Sequence, residues 1–165
     1  MPLRYVDPHK KRGLIYRADE RFARSRAGQL LARIVPRIDP WLYRVTRGRY
    51  PASLPVIASA PLVSTGARTG QPRVVQLTYF HDGHDPILIA SNYGGPRHPH
   101  WYYNLKAHPA CELGGDEFVA TEVTDSDENA LLFALAEQVY AGYGDYRAKT
   151  ALVGRQIPIF RLKAQ

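Results

Sequence analysis

A hairpin signature at residues 73–91 constrains the fold of this chain more than any other stretch. Arg73 to Phe80 (RVVQLTYF) is rich in β-branched and aromatic residues and reads as a strand. His81-Asp82-Gly83-His84-Asp85 carries turn chemistry, and Pro86 to Ser91 (PILIAS) reads as the returning strand. Val56 to Ser64, interrupted by Pro61, precedes this pair. Cys111 to Leu113 and Glu117 to Thr124 flank Gly114-Gly115, and Ile157 to Leu162 (IPIFRL) closes the series, with Pro158 pointing to an edge or a bulge. Pro99 to Ala107 is expected to form a short helix with Trp101, Tyr102 and Leu105 on its apolar side. Asp125 is expected to cap a helix running to about Tyr140, with Asp127 and Glu128 in its first turn. Short strands with helices inserted near their ends predict a mainly β fold with α elements (α+β), either a small barrel or a sheet.

The charge is unevenly spread. Met1 to Tyr50 hold 13 Lys+Arg against 4 Asp+Glu, whereas the other 115 residues hold 9 against 11. A basic segment at 1–50 therefore precedes a near-neutral body at 51–165. Ala18 to Val35 has helical periodicity, with Phe22, Leu30, Leu31, Ile34 and Val35 on one side and Arg21, Arg24, Arg26 and Arg33 among the polar remainder. Asp39-Pro40 is a second helix start, and Trp41, Leu42 and Val45 give that helix an apolar face. Such a segment can pack on the body with solvated arginines, lie on an anionic membrane with Trp41 as anchor, or meet nucleic acid. No helix-turn-helix, finger or RNA-binding signature accompanies it.

Several classes are disfavoured. At 45% hydrophobic and 22% charged residues the chain is expected to fold. No run of about 18 apolar residues suits a membrane span, and the first twenty residues do not read as a secretory signal. A single cysteine, Cys111, leaves no internal disulfide or multi-Cys zinc site and suits a reducing cytoplasm. His81, His84, His98 and His100 lack zinc-ligand spacing and are expected to be solvent-exposed, so no metal is expected. No Gly-x-Ser-x-Gly elbow, P-loop or Rossmann fingerprint is present.

Three clusters can carry chemistry. Ser64 to Arg73 (STGARTGQPR) sets glycines, hydroxyls and guanidiniums between strands, either an anion cradle or a polar hairpin. Ala90-Ser91-Asn92-Tyr93-Gly94-Gly95 can offer backbone amides to a planar heterocycle, with Trp101 and nearby tyrosines as pocket wall or as ordinary core. Tyr140, Tyr143 and Tyr146 belong to a stretch containing Gly142 and Gly144, which reads as a loop displaying phenols.

In this order and spacing the clusters resemble the deazaflavin (coenzyme F-420)-dependent nitroreductase family. The matching residues are Thr65-Gly66-Ala67-Arg68-Thr69-Gly70-Gln71-Pro72-Arg73, Ser91 with Gly94-Gly95, Pro99 to Pro109, and the late tyrosines before Ile157-Pro158-Ile159. The resemblance spans roughly Leu62 to Leu162. It implies a split β-barrel like the FMN-binding split barrels, with N-terminal helices, and coenzyme F-420 as cofactor. By the same resemblance Arg68, Thr69 and Arg73 would hold the cofactor's phosphate and acidic tail. Val74, Val75, Gln76, Leu77 and Thr78, with Ala90, Ser91 and Asn92, would lie along its ring and ribityl chain. His100, Trp101, Tyr102, Tyr103 and Asn104 would close over it. Tyr143, Tyr146 and Ser91 would be catalytic, with Tyr140, Tyr143 and Tyr146 facing substrate and Tyr143 also bordering the cofactor. The chain departs from the family pattern at Ala67, Gln76, Thr78 and Asn92.

The implied activity is transfer of hydride from reduced deazaflavin to a planar, electron-poor acceptor, a quinone or a nitroaromatic. A cytoplasmic protein touching the inner membrane face through its basic segment would meet lipid quinones there. A non-catalytic protein sequestering F-420 or flavin is the alternative. Nucleic-acid binding through residues 1–50 is the third.

Overall fold

The computed structural model describes residues 3–10, 25 and 58–165. The chain divides into two units, residues 1–10 together with 58–165 and residues 11–57. The helices expected at Ala18–Val35 and after Asp39 lie outside the described residues.

The first unit contains six described strands in a closed barrel. In chain order they are β1 (Ser59–Thr65), β2 (Pro72–Asp82), β3 (Asp85–Ile89), β4 (Ala110–Leu113), β5 (Asp116–Glu122) and β6 (Ile159–Ala164). Around the barrel the order is β1-β2-β3-β6-β5-β4. All the pairings are antiparallel, and β1 against β4 closes the ring through Leu62↔Leu113, Val63↔Glu112 and Ser64↔Cys111. Alternation sets the inner face: Ala60, Leu62 and Ser64 of β1 are buried, as are Cys111 and Leu113 of β4 and Phe118 and Ala120 of β5. Ile87, Leu88 and Ile89 of β3 are buried in succession, so both faces of that strand are covered.

Both expected helices of the body are present. Helix α1 (His100–Ala107) turns Trp101, Asn104 and Leu105 inward, whereas Tyr102 is half-buried. Helix α2 (Ser126–Val139) is capped by Asp125, which accepts from the Asp127 and Glu128 amides at 3.1 and 2.8 Å. Its buried Leu132, Leu135, Ala136 and Val139 recur at helical spacing and face β2, β3 and β6.

Two expectations change. The hairpin is tighter than the sequence reading, because Asp82 pairs with Asp85 and only Gly83-His84 form the loop. Gly83 has φ 60°, which suits the first position of a two-residue turn matched to strand twist. Arg161 of β6 offsets the two adjacent carboxylates, donating to Asp82 at 2.8 Å, to Asp85 at 3.3 Å and to Glu128 at 2.7 Å. Strand β6 is also not an edge, since it pairs with β3 and β5. Pro158 stands just before it, where no ladder needs its missing N–H, and its carbonyl accepts from the Ala90 amide at 2.9 Å.

Residues 3–10 run with the barrel. The Tyr79 hydroxyl donates to Arg4 O at 2.7 Å, and His81 N donates to Val6 O at 2.9 Å. Val6 N donates to His81 Nδ1 at 3.1 Å. His81 is therefore buried rather than solvent-exposed, correcting the sequence reading: hydrogen-bonding to the N-terminal strip satisfies it inside the fold. With Nδ1 accepting, the proton sits on Nε2. Burial holds its pKa below 6.5, against the weaker opposing pull of Asp85. The unfolded chain thus takes up a proton that the folded chain refuses. The resulting stability is present above about pH 6.5 and is lost as pH falls below it. Thermal melts of H81N, whose Oδ1 can still accept from Val6, should show a shallower acid loss of stability than the parent chain.

Candidate functional site

The loop between β1 and β2 is wound on itself. Gly66 N donates to Gln71 O at 2.9 Å, and Gly70 N donates to Gly66 O at 2.8 Å. Gly70 has φ 65°, and a Cβ on Gly66 would stand 2.8 Å from Thr69 Oγ1, so both positions call for glycine. The loop is fastened from outside by Asn104 of α1. Its Oδ1 accepts from Ala67 N at 3.0 Å, and its Nδ2 donates to Ser64 Oγ at 3.1 Å. Arg68, Thr69 and Arg73 are left exposed at the surface. Among the described residues neither arginine forms an ion pair.

Strand β2 continues from this loop. Val74, Val75, Leu77 and Thr78 are only half-buried, and exposed Gln76 donates through Nε2 to Ser59 Oγ at 3.0 Å. An apolar strip with incomplete cover thus starts beside two exposed guanidiniums.

The second cluster forms a sharp corner after β3. Ala90 is fully buried and Ser91 half-buried. Asn92 (φ 48°), Tyr93 (φ 54°) and Gly94 (φ 74°) then run left-handed in succession, an arrangement costly for the two non-glycine residues. Asn92 Nδ2 donates to Arg97 O at 2.8 Å. Gly94 sits against helix α3 (Gly142–Ala151), where a Cβ would stand 3.1 Å from the Lys149 side chain and 3.2 Å from Tyr146 Cα.

The tyrosine stretch is buried, with Tyr143 and Tyr146 in α3 and Tyr140 at the extended C-cap of α2, which corrects the expectation of a loop displaying phenols. Tyr140, Tyr143 and Tyr146 are each no more than 7% exposed. Gly142 is a packing requirement, because a Cβ there would run into the Tyr140 ring. The rings meet edge-on, Tyr140 to Tyr143 at 5.6 Å and Tyr143 to Tyr146 at 6.2 Å, and Tyr93 from the corner joins Tyr146 at 6.0 Å. The Tyr140 and Tyr146 hydroxyls lie 3.3 Å apart. Burial, then that hydroxyl contact, pushes the Tyr146 phenol well above its ordinary range, so it keeps its proton.

In α1, His100 and Tyr103 face outward, whereas Trp101 packs inward on Phe160 at 5.9 Å. Asn104 is occupied by the loop clamp. The structure therefore brings the corner and the tyrosines together, and joins the glycine-rich loop between β1 and β2 to α1. Sequence reasoning missed Arg155, whose guanidinium donates to Ala90 O at 3.2 Å and to Ser91 O, and lies 3.1 Å from His98 Nδ1. Gly154 (φ 66°) ends α3, with Gly154 N bonded to Ala151 O and Arg155 N to Thr150 O, the two bonds of a Schellman cap. A glycine followed by a basic residue after a helical stretch was the available signal. His98, expected in solvent, is half-buried by this contact.

Exposed cations on a glycine loop, a half-covered apolar strip and a backbone corner suit a planar ring with an anionic tail. The comparisons with known proteins place a closed barrel of this kind among small F-420-dependent oxidoreductases. The profile of the F-420H(2)-dependent quinone reductases matches residues 35–164. An F-420H(2)-dependent quinone reductase of Mycobacterium tuberculosis is 36% identical over 130 residues, covering 74% of this chain and 85% of that protein. Among solved structures, an F-420-H2-dependent reductase superposes with a TM-score of 0.53 at 30% identity, over 64% of this chain and 93% of that one. A domain-swapped dimer superposes at 0.57 with 27% identity, over 76% and 96%. The chain belongs to the F-420H(2)-dependent quinone reductase family, and its cofactor class is coenzyme F-420.

Removing the Asn104 amide would strand the Ala67 N–H and the Ser64 hydroxyl. Asn104→Ala should cost about 1–3 kcal/mol in chemical denaturation and speed hydrogen exchange at Ala67.

Proposed function

We propose that this chain reduces a quinone with reduced coenzyme F-420, and that the Gly66–Arg73 loop, β2 and the Ala90–Asn92 corner form the cofactor site. The observation that carries this reading is the pair of exposed arginines on a glycine-rich loop leading directly onto the half-covered strip of β2. Arg68, Thr69 and Arg73 bind the phosphate and acidic tail by charge-assisted hydrogen bonds. Val74, Val75, Gln76, Leu77 and Thr78 lie along the ring, with Ala90, Ser91 and Asn92 at its end. His100, Tyr102 and Tyr103 form the outer wall, with Trp101 and Asn104 supporting it from within. When bound, the reduced cofactor supplies a hydride from its ring carbon. Tyr140, Tyr143 and Tyr146, although each nearly buried, border the acceptor through what edge remains exposed and exclude water from it. Tyr143 or Tyr146, helped by Ser91, donates the proton that completes the hydroquinone. Burial keeps Tyr146 protonated but also makes it a weaker acid, so it donates only to a strongly basic oxygen such as the anion that hydride transfer leaves on the quinone.

A quinone is preferred over a nitroaromatic acceptor. The division into a basic segment at 1–50 and a cofactor-binding body at 51–165 belongs to the same proposal. The basic segment brings the body to an anionic membrane, where lipid quinones reside. No described helix is long and apolar enough to cross a membrane, and the contact we propose is a peripheral one. Replacing Arg21, Arg24 and Arg26 with glutamate should abolish binding to anionic liposomes while turnover of a water-soluble quinone persists.

Tryptophan fluorescence titration with F-420, run beside FMN, tests the cofactor site. Saturable micromolar binding with FMN much weaker is the expected result. R68E/R73E should weaken F-420 binding about tenfold or more and flatten its salt dependence. Preference for FMN, or binding unaffected by that double change, would overturn the assignment. Binding without quinone turnover would point to sequestration instead.

A further inference from the structure

Arg155 reaches the corner from behind, and its surroundings are those of a fixed part. It leaves α3 through the Gly154 cap and spreads its guanidinium over three acceptors on the 90–98 segment: Ala90 O, Ser91 O and His98 Nδ1. A guanidinium only donates, so His98 Nδ1 must accept and the imidazole proton must sit on Nε2. The ring lies tilted against Tyr102 at 4.5 Å and meets the edge of Tyr103 at 6.1 Å. Arg155 Nε is buried with no partner.

We propose that Arg155 and His98 act as a positioning pair for the cofactor corner, which holds its shape only while His98 is uncharged. The pair touches no reacting atom; it acts through the two carbonyls that set the backbone of Ala90 and Ser91. This rests on the reading that the corner borders the cofactor ring. Protonation of Nδ1 would remove an acceptor from Arg155 and set a cation against a cation. The contact would open, and Arg155 would no longer hold both carbonyls.

The groups facing His98 fix the direction. Arg155 approaches from the α3–β6 connection. Glu122 at the end of β5 is held by Lys106 of α1 at 2.6 Å. Tyr102 and Tyr103 come from α1, and Arg97 adjoins in sequence. Burial and then Arg155 lower the His98 pKa, and Glu122 opposes them less strongly. The corner is therefore set near neutrality and released at acid pH, below about 6.5.

The experiment combines two readouts on the full chain. Long-range proton–nitrogen NMR on the cofactor-free protein reports the His98 tautomer and its titration. F-420 titration from about pH 5 to 8 reports the acid limb of binding. The expected result is an Nε2–H tautomer titrating below 6.5, with binding that weakens over the same range. R155K keeps the charge but cannot span three acceptors. It should weaken F-420 binding about tenfold or more at neutral pH and raise the His98 midpoint, with circular dichroism and cooperative melting retained. H98N, whose Oδ1 replaces the Nδ1 acceptor, should remove the acid limb even with His81 in place. An Nδ1–H tautomer in the parent chain, or R155K binding with the parent's affinity and pH profile, would overturn the pair. Failure of the parent chain to bind F-420 would instead overturn the cofactor reading, while the NMR arm still decides the pairing.

Discussion

Three residue pairs between β1 and β4 hold the structure in its working form. Leu62↔Leu113, Val63↔Glu112 and Ser64↔Cys111 convert an open antiparallel sheet into a ring. Without them β1 and β4 would be free edges, with unpaired amides and carbonyls open to other chains. Closure also places Leu62 and Leu113, both fully buried, opposite one another inside the barrel. The short β4 can do this because Gly114 and Gly115, at φ 64° and 101°, turn the chain straight into β5. The ring positions the candidate site, since the loop between β1 and β2, the corner and α1 all connect strands of the closed barrel.

Polar side chains then attach the irregular segments to the ring. Asn104 joins α1 to the loop between β1 and β2, Arg155 joins the end of α3 to the corner, and His81 joins the N-terminal strip to β2. Each is at least half-buried and hydrogen-bonded to backbone. Loops with little apolar contact of their own are held this way, because an unmet buried amide or carbonyl is expensive. One consequence is that residues beside the site divide into those that face outward and those that anchor. Trp101 and Asn104 are anchors in this structure, whereas His100, Tyr103, Arg68 and Arg73 face outward.

Much of this was legible in the chain. The hairpin, the Asp125 cap, the short strands about Gly114-Gly115 and the closing IPIFRL strand each carry a local signal, and each formed within a few residues of its expected place. The loop Thr65 to Arg73 was recognisable because glycine and guanidinium chemistry is written in the residues themselves. The tyrosine stretch was misread because Gly142 looks like a helix breaker in one dimension. In three dimensions it is the only residue that admits the Tyr140 ring. His81 and His98 were misread because a histidine's burial depends on partners distant in sequence, Val6 for one and Arg155 for the other.

The sequence by itself determined most strands, the helices at Pro99 to Ala107 and after Asp125, and the family, since these rest on periodicity, turn residues and motif spacing within short windows. The tertiary structure alone decided that the sheet closes, that Pro158 precedes an interior strand and that the phenols are buried. It also decided that a single arginine past a helix end holds the corner and a histidine together. Those outcomes depend on contacts between residues about 40 to 75 positions apart, and no local pattern encodes which distant groups will meet.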